Sequence, residues 1–327
     1  MWHPPYYVEN AIRRFWIKMP HGKGCTREIK RDWCSYSEHL VSRGELLLRL
    51  SWVRSWDEEL ERMNEGKRGR PYAYPRSLVR FAELLRAALA VPLRELEGLL
   101  RALSHFLPLR APDFSTLWHR LAREEVELEG LDLRRQGGFV IAVDSTGVKV
   151  SNRGEWMREK WKVHRGWIKV HLAVEVESGA IVGIAISDER AVDAQFLPDL
   201  VRQAQTVLPG PVKRVLADGA YDTRGNFDFL REEGIEAGIK IRLNASRKMK
   251  GASMARPIAV LERQRLGEEE WARRYEYNKR WRCETTFSAV KRMFGEAIMS
   301  RRTDMMLREA TLKFVQYNTM LGADSGG

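Results

Sequence analysis

The chain has 327 residues, 44% of them hydrophobic, with 56 Lys and Arg against 44 Asp and Glu, a formal charge of +12 and a pI near 9.7. That length and apolar share allow one larger domain and a smaller one, each with a real core, and exclude a disordered tail; the basic surplus suits a polyanionic partner, or simply aids solubility. Three cysteines, Cys25, Cys34 and Cys283, exclude a disulfide framework, and with no apolar run of about 18 residues and no signal peptide the expectation is a cytoplasmic protein without a membrane partner.

Residues 1–64 read as an irregular to helical N-terminal segment with a helix over 35–41. His21, Cys25, Cys34 and His39 are spaced H-x3-C-x8-C-x4-H, which matches none of the usual zinc patterns, so incidental thiols are the reading. GKRGRPYAYP, residues 66–75, fills a basic stretch at 65–75. Arg68 and Arg70 there flank Gly69 in an extended turn similar to an AT-hook core, suited to a narrow minor groove; the alternative is a plain basic linker.

Residues 76–129 carry three helical patterns. Ser77 is expected to cap a run with apolar Leu78, Phe81, Ala82, Leu85 and Leu89. Pro92 turns the chain into a second run through Leu96, Leu99, Leu100 and Leu103. After a break at Pro108 and Pro112, Asp113 or Ser115 starts a third with Leu117, Trp118 and Leu121. Arg76, Arg80, Arg86 and Arg94 on the polar faces make this a DNA-binding unit or, equally, a dimerisation or packing unit.

From 137 the period changes. GFVIAVDSTGVKV, residues 138–150, is a strand with Asp144 inside it, a costly carboxylate to bury unless metal or partners neutralise it. A basic aromatic loop at 156–165 leads to two more strands around the turn Ser178–Gly179, so three antiparallel strands come first. Residues 194–207 are helical. VKRVLADGAYD then gives a short strand over 212–217 ending at Asp218, and carboxyl ends of parallel strands are where open α/β sheets place ligands. A helix at 226–233 and a strand at 235–241 follow, then a long basic connection.

YNKRWRCETTFSAVK, residues 277–291, reads as one helix, short of Gly and Pro. At about 100° per residue Tyr277, Arg280, Glu284 and Lys291 share one polar stripe, while Cys283, Phe287, Val290 and Phe294 form an apolar one beside it. From Arg273 to Arg302 nine basic residues face only Glu276, Glu284 and Glu296. Trp281 is expected in the core, His171 and Asp193 are minor candidates for assisting the chemistry, and a last helix over 304–321 packs through Leu307, Leu312, Val315 and Leu321. Residues 322–327 are a loose tail.

The spacing Y-x2-R-x3-E-x6-K resembles the signature of many DDE transposases of prokaryotic insertion sequences. The phrases RDWCSYSEHLVSRGELLLRL, VDSTGVKV, WIKVHLAVEVESG, FLPDLV and LADGAYD look like the insertion-sequence-five family. The resemblance implies a ribonuclease-H-like catalytic domain over 137–321, an α/β fold with a mixed five-stranded sheet and flanking helices, preceded by the small helical N-terminal region. It implies that Asp144, Asp218 and Glu284 are the catalytic carboxylates and hold Mg2+, or Mn2+ in its place, as two ions. Tyr277, Arg280 and Lys291 would handle DNA phosphates. The implied partner is double-stranded DNA, both element ends and target, bound by a homodimer or higher oligomer at the nucleoid. Rival readings are a metal-dependent nuclease of the same fold and a non-catalytic DNA-binding remnant.

Overall fold

A computed structural model describes residues 33–126, 128, 133, 138–150, 167–188, 190–242, 245 and 254–321. His21, Cys25, the 156–165 loop and the 322–327 tail lie outside the described residues. The chain divides into a short first unit, Met1–Glu38, and a second, His39–Gly327. The described residues belong to the second unit, save the start of the first helix.

Helix α1 spans Trp33–Leu46, longer than the expected 35–41. The N-terminal segment is more ordered than its composition suggests: a 3-10 turn, Ser51–Ser55, leads into α2, Trp56–Asn64. Trp52 and Trp56 pack against the core of the three expected helices, α3 (Arg76–Leu89), α4 (Leu93–Ser104) and α5 (Phe114–Arg123), built on Leu78, Phe81, Leu85, Leu96, Leu100 and Leu117. Asp113 caps α5, accepting from the Ser115 and Thr116 backbone N–H groups at 2.9 Å. Ser77 is not the cap of α3. Its hydroxyl and its N–H are both drawn to Glu59 of α2, at 2.5 and 3.0 Å. Of the four arginines expected to face DNA, Arg76 pairs with Glu124 and Arg86 with Glu309, so both serve internal contacts.

The sheet holds β1 (Phe139–Val150), β2 (Trp167–Glu175), β3 (Ile181–Asp188), β4 (Val212–Ala217) and β5 (Glu236–Ile239) in the order β3-β2-β1-β4-β5. The first three are antiparallel, and β1, β4 and β5 run parallel. This is the ribonuclease-H-like arrangement, with one correction: a sixth strand, β6 (Ala297–Ile298), pairs parallel with the far end of β1. Two residues are too few to carry a periodic signal.

Helix α6 (Leu197–Val207) follows β3, and α7 (Arg224–Glu232), capped by Thr223, follows β4. The expected connection after β5 contains a helix, α8 (Ala255–Arg274), broken at Gly267. It is mostly charged, so its pattern is weak. After it come α9 (Trp281–Phe294) and α10 (Thr303–Leu321).

Alternation along the strands sorts the two faces. Val140, Ala142, Leu172, Val174 and Leu216 pack on Cys283, Phe287 and Val290 of α9 and on Met306, Ala310 and Phe314 of α10. Of the α10 residues expected to pack, Leu307 is instead exposed. Ile141, Val143, Ala173, Val215 and Ala217 meet Leu197, Leu200 and Val201 of α6 and Phe227 and Leu230 of α7. Asp144 continues the first of these faces and so points toward α9. Asp218, one residue past β4, continues it as well.

Candidate active site

In the parallel β1–β4 pair Val143 stands opposite Ala217. Asp144 is the next residue of β1 and Asp218 the first residue past β4, which places them at neighbouring positions, about 4.8 Å apart by strand spacing. Hydrogen bonds fix both carboxylates. Asp144 accepts from the Ser145 N–H at 2.8 Å, and Asp218 caps a 3-10 turn, Gly219–Tyr221, by accepting from the Ala220 N–H at 2.8 Å.

The third carboxylate arrives on α9, but the approach is not the single helix expected. Residues Tyr277–Arg280 form a 3-10 turn after Glu276, which has φ 51°, and the α-helix starts only at Trp281. In a 3-10 turn residues i and i+3 stack on one side. Tyr277 and Arg280 are so placed: the Tyr277 hydroxyl donates to the Ala217 carbonyl at 3.3 Å, beside Asp218, and the Arg280 guanidinium reaches Asp144 Oδ2 at 2.7 Å and Glu284 Oε1 at 2.6 Å. The buried stripe Cys283, Phe287, Val290 and Phe294 holds α9 in place, and the Cys283 thiol donates to the Ala142 carbonyl at 3.1 Å. Farther along, the Lys291 ammonium donates to Thr146 Oγ1 at 2.9 Å. A cleft of about 600 Å³ opens here, lined by Asp144, Ser145, Thr146, Glu284, Lys291 and Arg292 among others.

Electrostatics follow from this crowding. Burial raises the Asp144 pKa and the nearby Asp218 adds to that, while the Ser145 N–H and Arg280 pull it down. Tyr277 is pushed up to about 12, first by burial, with Asp218 and Asp144 adding to it. Burial opposes the charge of Arg280, yet Tyr277, Asp144 and Glu284 together hold its pKa above the ordinary value.

Three carboxylates are the hard oxygen donors that Mg2+ or Mn2+ takes. Among the described residues no three His, Cys, Asp or Glu side chains stand close enough together to ligate one ion. The interval between Asp144 and Glu284 holds the Arg280 guanidinium instead. The carboxylates fit a divalent cation in donor type, and two of them, Asp144 and Glu284, already share one positive charge, that of Arg280. Closing on an ion requires Arg280 to give way.

Six of the eight expected site residues, Asp144, Asp218, Tyr277, Arg280, Glu284 and Lys291, come to this end of the sheet. Arg68 and Arg70 do not line the cleft; they are exposed on the loop between α2 and α3, where Lys67 Nζ donates to the Arg70 carbonyl at 2.5 Å. His171 is placed away from the site. It pairs in register with Ser145, not Asp144, and on the opposite face its fully buried ring stacks on Phe196 at 4.0 Å and hydrogen-bonds Ser187 at 2.8 Å. Asp193 is with it, in an ion pair to Lys169 at 2.7 Å. Trp281 is 55% exposed rather than core, because the apolar stripe of α9 faces the sheet without it. The sequence reading missed Thr146 and the side chains around the Asp218 turn, Asp222, Arg242 and Arg256. Only Asp222 left a signal, as a second acid four residues after Asp218.

Two family models described as Transposase DDE domain match the chain, at residues 136–319 and 41–153. Among solved structures it is similar to the piggyBac transposase synaptic complex with hairpin DNA, at 11% identity and TM-score 0.41 over 88% of this chain and 75% of that one. It is also similar to the catalytic core domain of BIV integrase, at 13% identity and TM-score 0.27 over 55% of this chain and 81% of that one. A third similarity is to the Drosophila P element transposase strand transfer complex, at 16% identity and TM-score 0.29 over 57% of this chain and 42% of that one. The first family match alone covers more than half of the sequence and spans every strand and helix that builds the carboxylate site, so the chain belongs to the DDE transposase family.

Proposed function

We propose that this transposase binds the ends of its own insertion sequence, cuts them by hydrolysis to free a 3' hydroxyl, and joins that hydroxyl to target DNA by direct transesterification. The observation that carries the proposal is the placement of Asp144, inside β1, beside Asp218, just past the end of β4, with Glu284 linked to Asp144 through one guanidinium. Membership of the family implies a divalent metal. Asp144, Asp218 and Glu284 would hold it, as two Mg2+ ions or Mn2+ in their place, and when bound it supplies an activated nucleophile and charge stabilisation for the leaving oxygen.

The chain's other residues have roles that need no metal. Lys291, half-buried at the cleft wall, and Arg280 place cations where a phosphodiester would lie, and Arg280 can trade its carboxylate partners for phosphate oxygens in the same forked geometry. Tyr277 carries a hydroxyl proton held well above neutral pH, so it acts as a donor to phosphate rather than as a base. An element has two ends and each chain one carboxylate site, so the working assembly on double-stranded DNA holds at least two copies. Among the described residues no helix is long and apolar enough to cross a membrane. Arg68 and Arg70 would reach the minor groove near the ends.

The test is a duplex carrying the element's own end, incubated with Mg2+ or Mn2+ and read for nicking and for joining to a second duplex. Glu284→Gln keeps shape and removes a ligand charge, so nicking and joining should both drop by orders of magnitude while end binding survives. Cutting of unrelated duplexes without joining would replace this reading with a nuclease. Binding with neither reaction in the wild type would leave a DNA-binding remnant.

A further inference from the structure

The turn that carries Asp218 is held from outside at each of its carbonyls. Gly219 O accepts from Arg242 Nε at 2.6 Å and Ala220 O from the Arg242 guanidinium at 3.4 Å. Tyr221 O accepts from Asn226 Nδ2 at 3.0 Å. Arg242 is itself anchored, since its backbone N–H donates to Asp222 Oδ2 at 3.1 Å. The buried Asp222 carboxylate takes a forked pair from Arg256, at 2.6 and 2.9 Å. The turn lies flush against this support: a Cβ on Gly219 would stand 3.4 Å from Arg242 Cγ and from the Lys240 carbonyl.

Arg242 is exposed, in a chain with a large excess of cations, yet its guanidinium is turned back onto neutral carbonyls. One of those carbonyls belongs to the Gly219–Ala220 peptide, whose N–H is the one that orients the Asp218 carboxylate. We propose that Arg242 is a positioning residue for Asp218: its fork clamps the Gly219–Tyr221 turn and thereby fixes the carboxylate for metal. The proposal rests on the reading of Asp218 as a metal ligand.

Electrostatics and positioning make opposite demands on this residue, which makes the role testable. A cation one residue from a metal-binding carboxylate repels the metal, so removing its charge should tighten metal binding if charge is all that matters. Removing a clamp instead leaves the carboxylate to be ordered on binding, and loss of a group that orients a ligand costs about 10–100-fold in metal affinity.

The experiment titrates Mn2+ into the full chain without DNA, read by water-proton relaxation, for wild type, Arg242→Ala, Arg242→Lys and Asp218→Asn. Duplex affinity and its salt slope are measured alongside. Arg242→Ala should weaken Mn2+ binding about tenfold with duplex affinity unchanged. Arg242→Lys keeps the charge but cannot fork to two carbonyls, so its loss should be intermediate. Unchanged or tighter Mn2+ binding in Arg242→Ala, with weaker duplex binding and a shallower salt slope, makes Arg242 a DNA contact and overturns the proposal. Should Arg242→Ala fail to fold, wild-type Mn2+ affinity in Arg242→Lys overturns it as well. If Asp218→Asn binds Mn2+ as wild type does, the ligand reading of Asp218 fails instead, whatever Arg242 does.

Discussion

Arg280 and Asp144 lie 136 positions apart in the chain and meet at 2.7 Å, with the same guanidinium carried on to Glu284. Both Arg280 and Asp144 are mostly shielded, their side chains 20% and 18% exposed. The pair therefore sits where a cation is needed in the folded protein, and Arg280 supplies one.

That relationship predicts the behaviour of Arg280→Ala. Removing the guanidinium strips Asp144 of a charge that lowers its pKa, leaving burial and Asp218 to raise it further. Stability should fall by about 1–3 kcal/mol, the cost of leaving a buried acceptor without its partner. Added Mn2+ should then raise the melting temperature of Arg280→Ala by more than it raises that of wild type. Equal gains in the two proteins would mean that Arg280 and the metal do not share the carboxylates. End binding should weaken in the same variant through loss of a phosphate contact.

His171 predicts a pH dependence of stability. Burial pushes its pKa down from 6.5 to about 4, against Asp193, which pulls it up, while Lys169 also lowers it. Between those two values the unfolded chain binds the proton and the folded chain does not. This stabilisation is thus present above pH 6.5 and is lost as the pH falls toward 4, on the order of 3 kcal/mol in all. Melting temperatures of wild type and His171→Gln across that window should converge at low pH, the wild type falling more steeply. Parallel curves would show that His171 is not the group responsible.

Gly183 tests the packing of β3 on α6. A Cβ there would stand 2.7 Å from the Leu200 carbonyl and 3.2 Å from the Ala173 Cβ, and neither neighbour is a flexible chain end. Gly183→Ala should destabilise by about 1–3 kcal/mol through overpacking. In a domain of this size each kcal/mol moves the melting temperature by about 2–4 °C. A melting temperature equal to wild type would mean the two elements are more loosely packed than the structure has them.

Arg68 and Arg70 offer a test on the DNA side. Replacing both with Ala should reduce binding to A·T-rich duplexes more than to G·C-rich ones, because paired arginines favour the narrow, strongly negative minor groove. Equal losses on both duplexes, with a shallower salt slope, would make the stretch a plain basic linker.

What the sequence by itself determined is local. The switch from helical to alternating period placed β1 to β5 and the helices between them, since periodicity is set by neighbours two to four residues away. The buried stripe Cys283, Phe287, Val290 and Phe294 and the polar one carrying Arg280 and Glu284 were legible for the same reason, and a lone carboxylate in a strand as apolar as β1 singled out Asp144. Only tertiary structure decided where long-range polar partners lie. Ser77 looks like a cap until Glu59 takes its hydroxyl, and Arg242 looks like one more basic residue until it folds back on Gly219 and Ala220. His171 and Asp144 share neighbouring strands, yet one register position puts them on opposite faces. A two-residue strand such as β6 has no period to read, and a charged helix such as α8 has too little apolar contrast. The pairing of Arg280 with Asp144 depends on strand order, on the register of β1 with β4 and on the seating of α9. These are properties of the packed sheet, and no span of sequence shorter than the domain contains them.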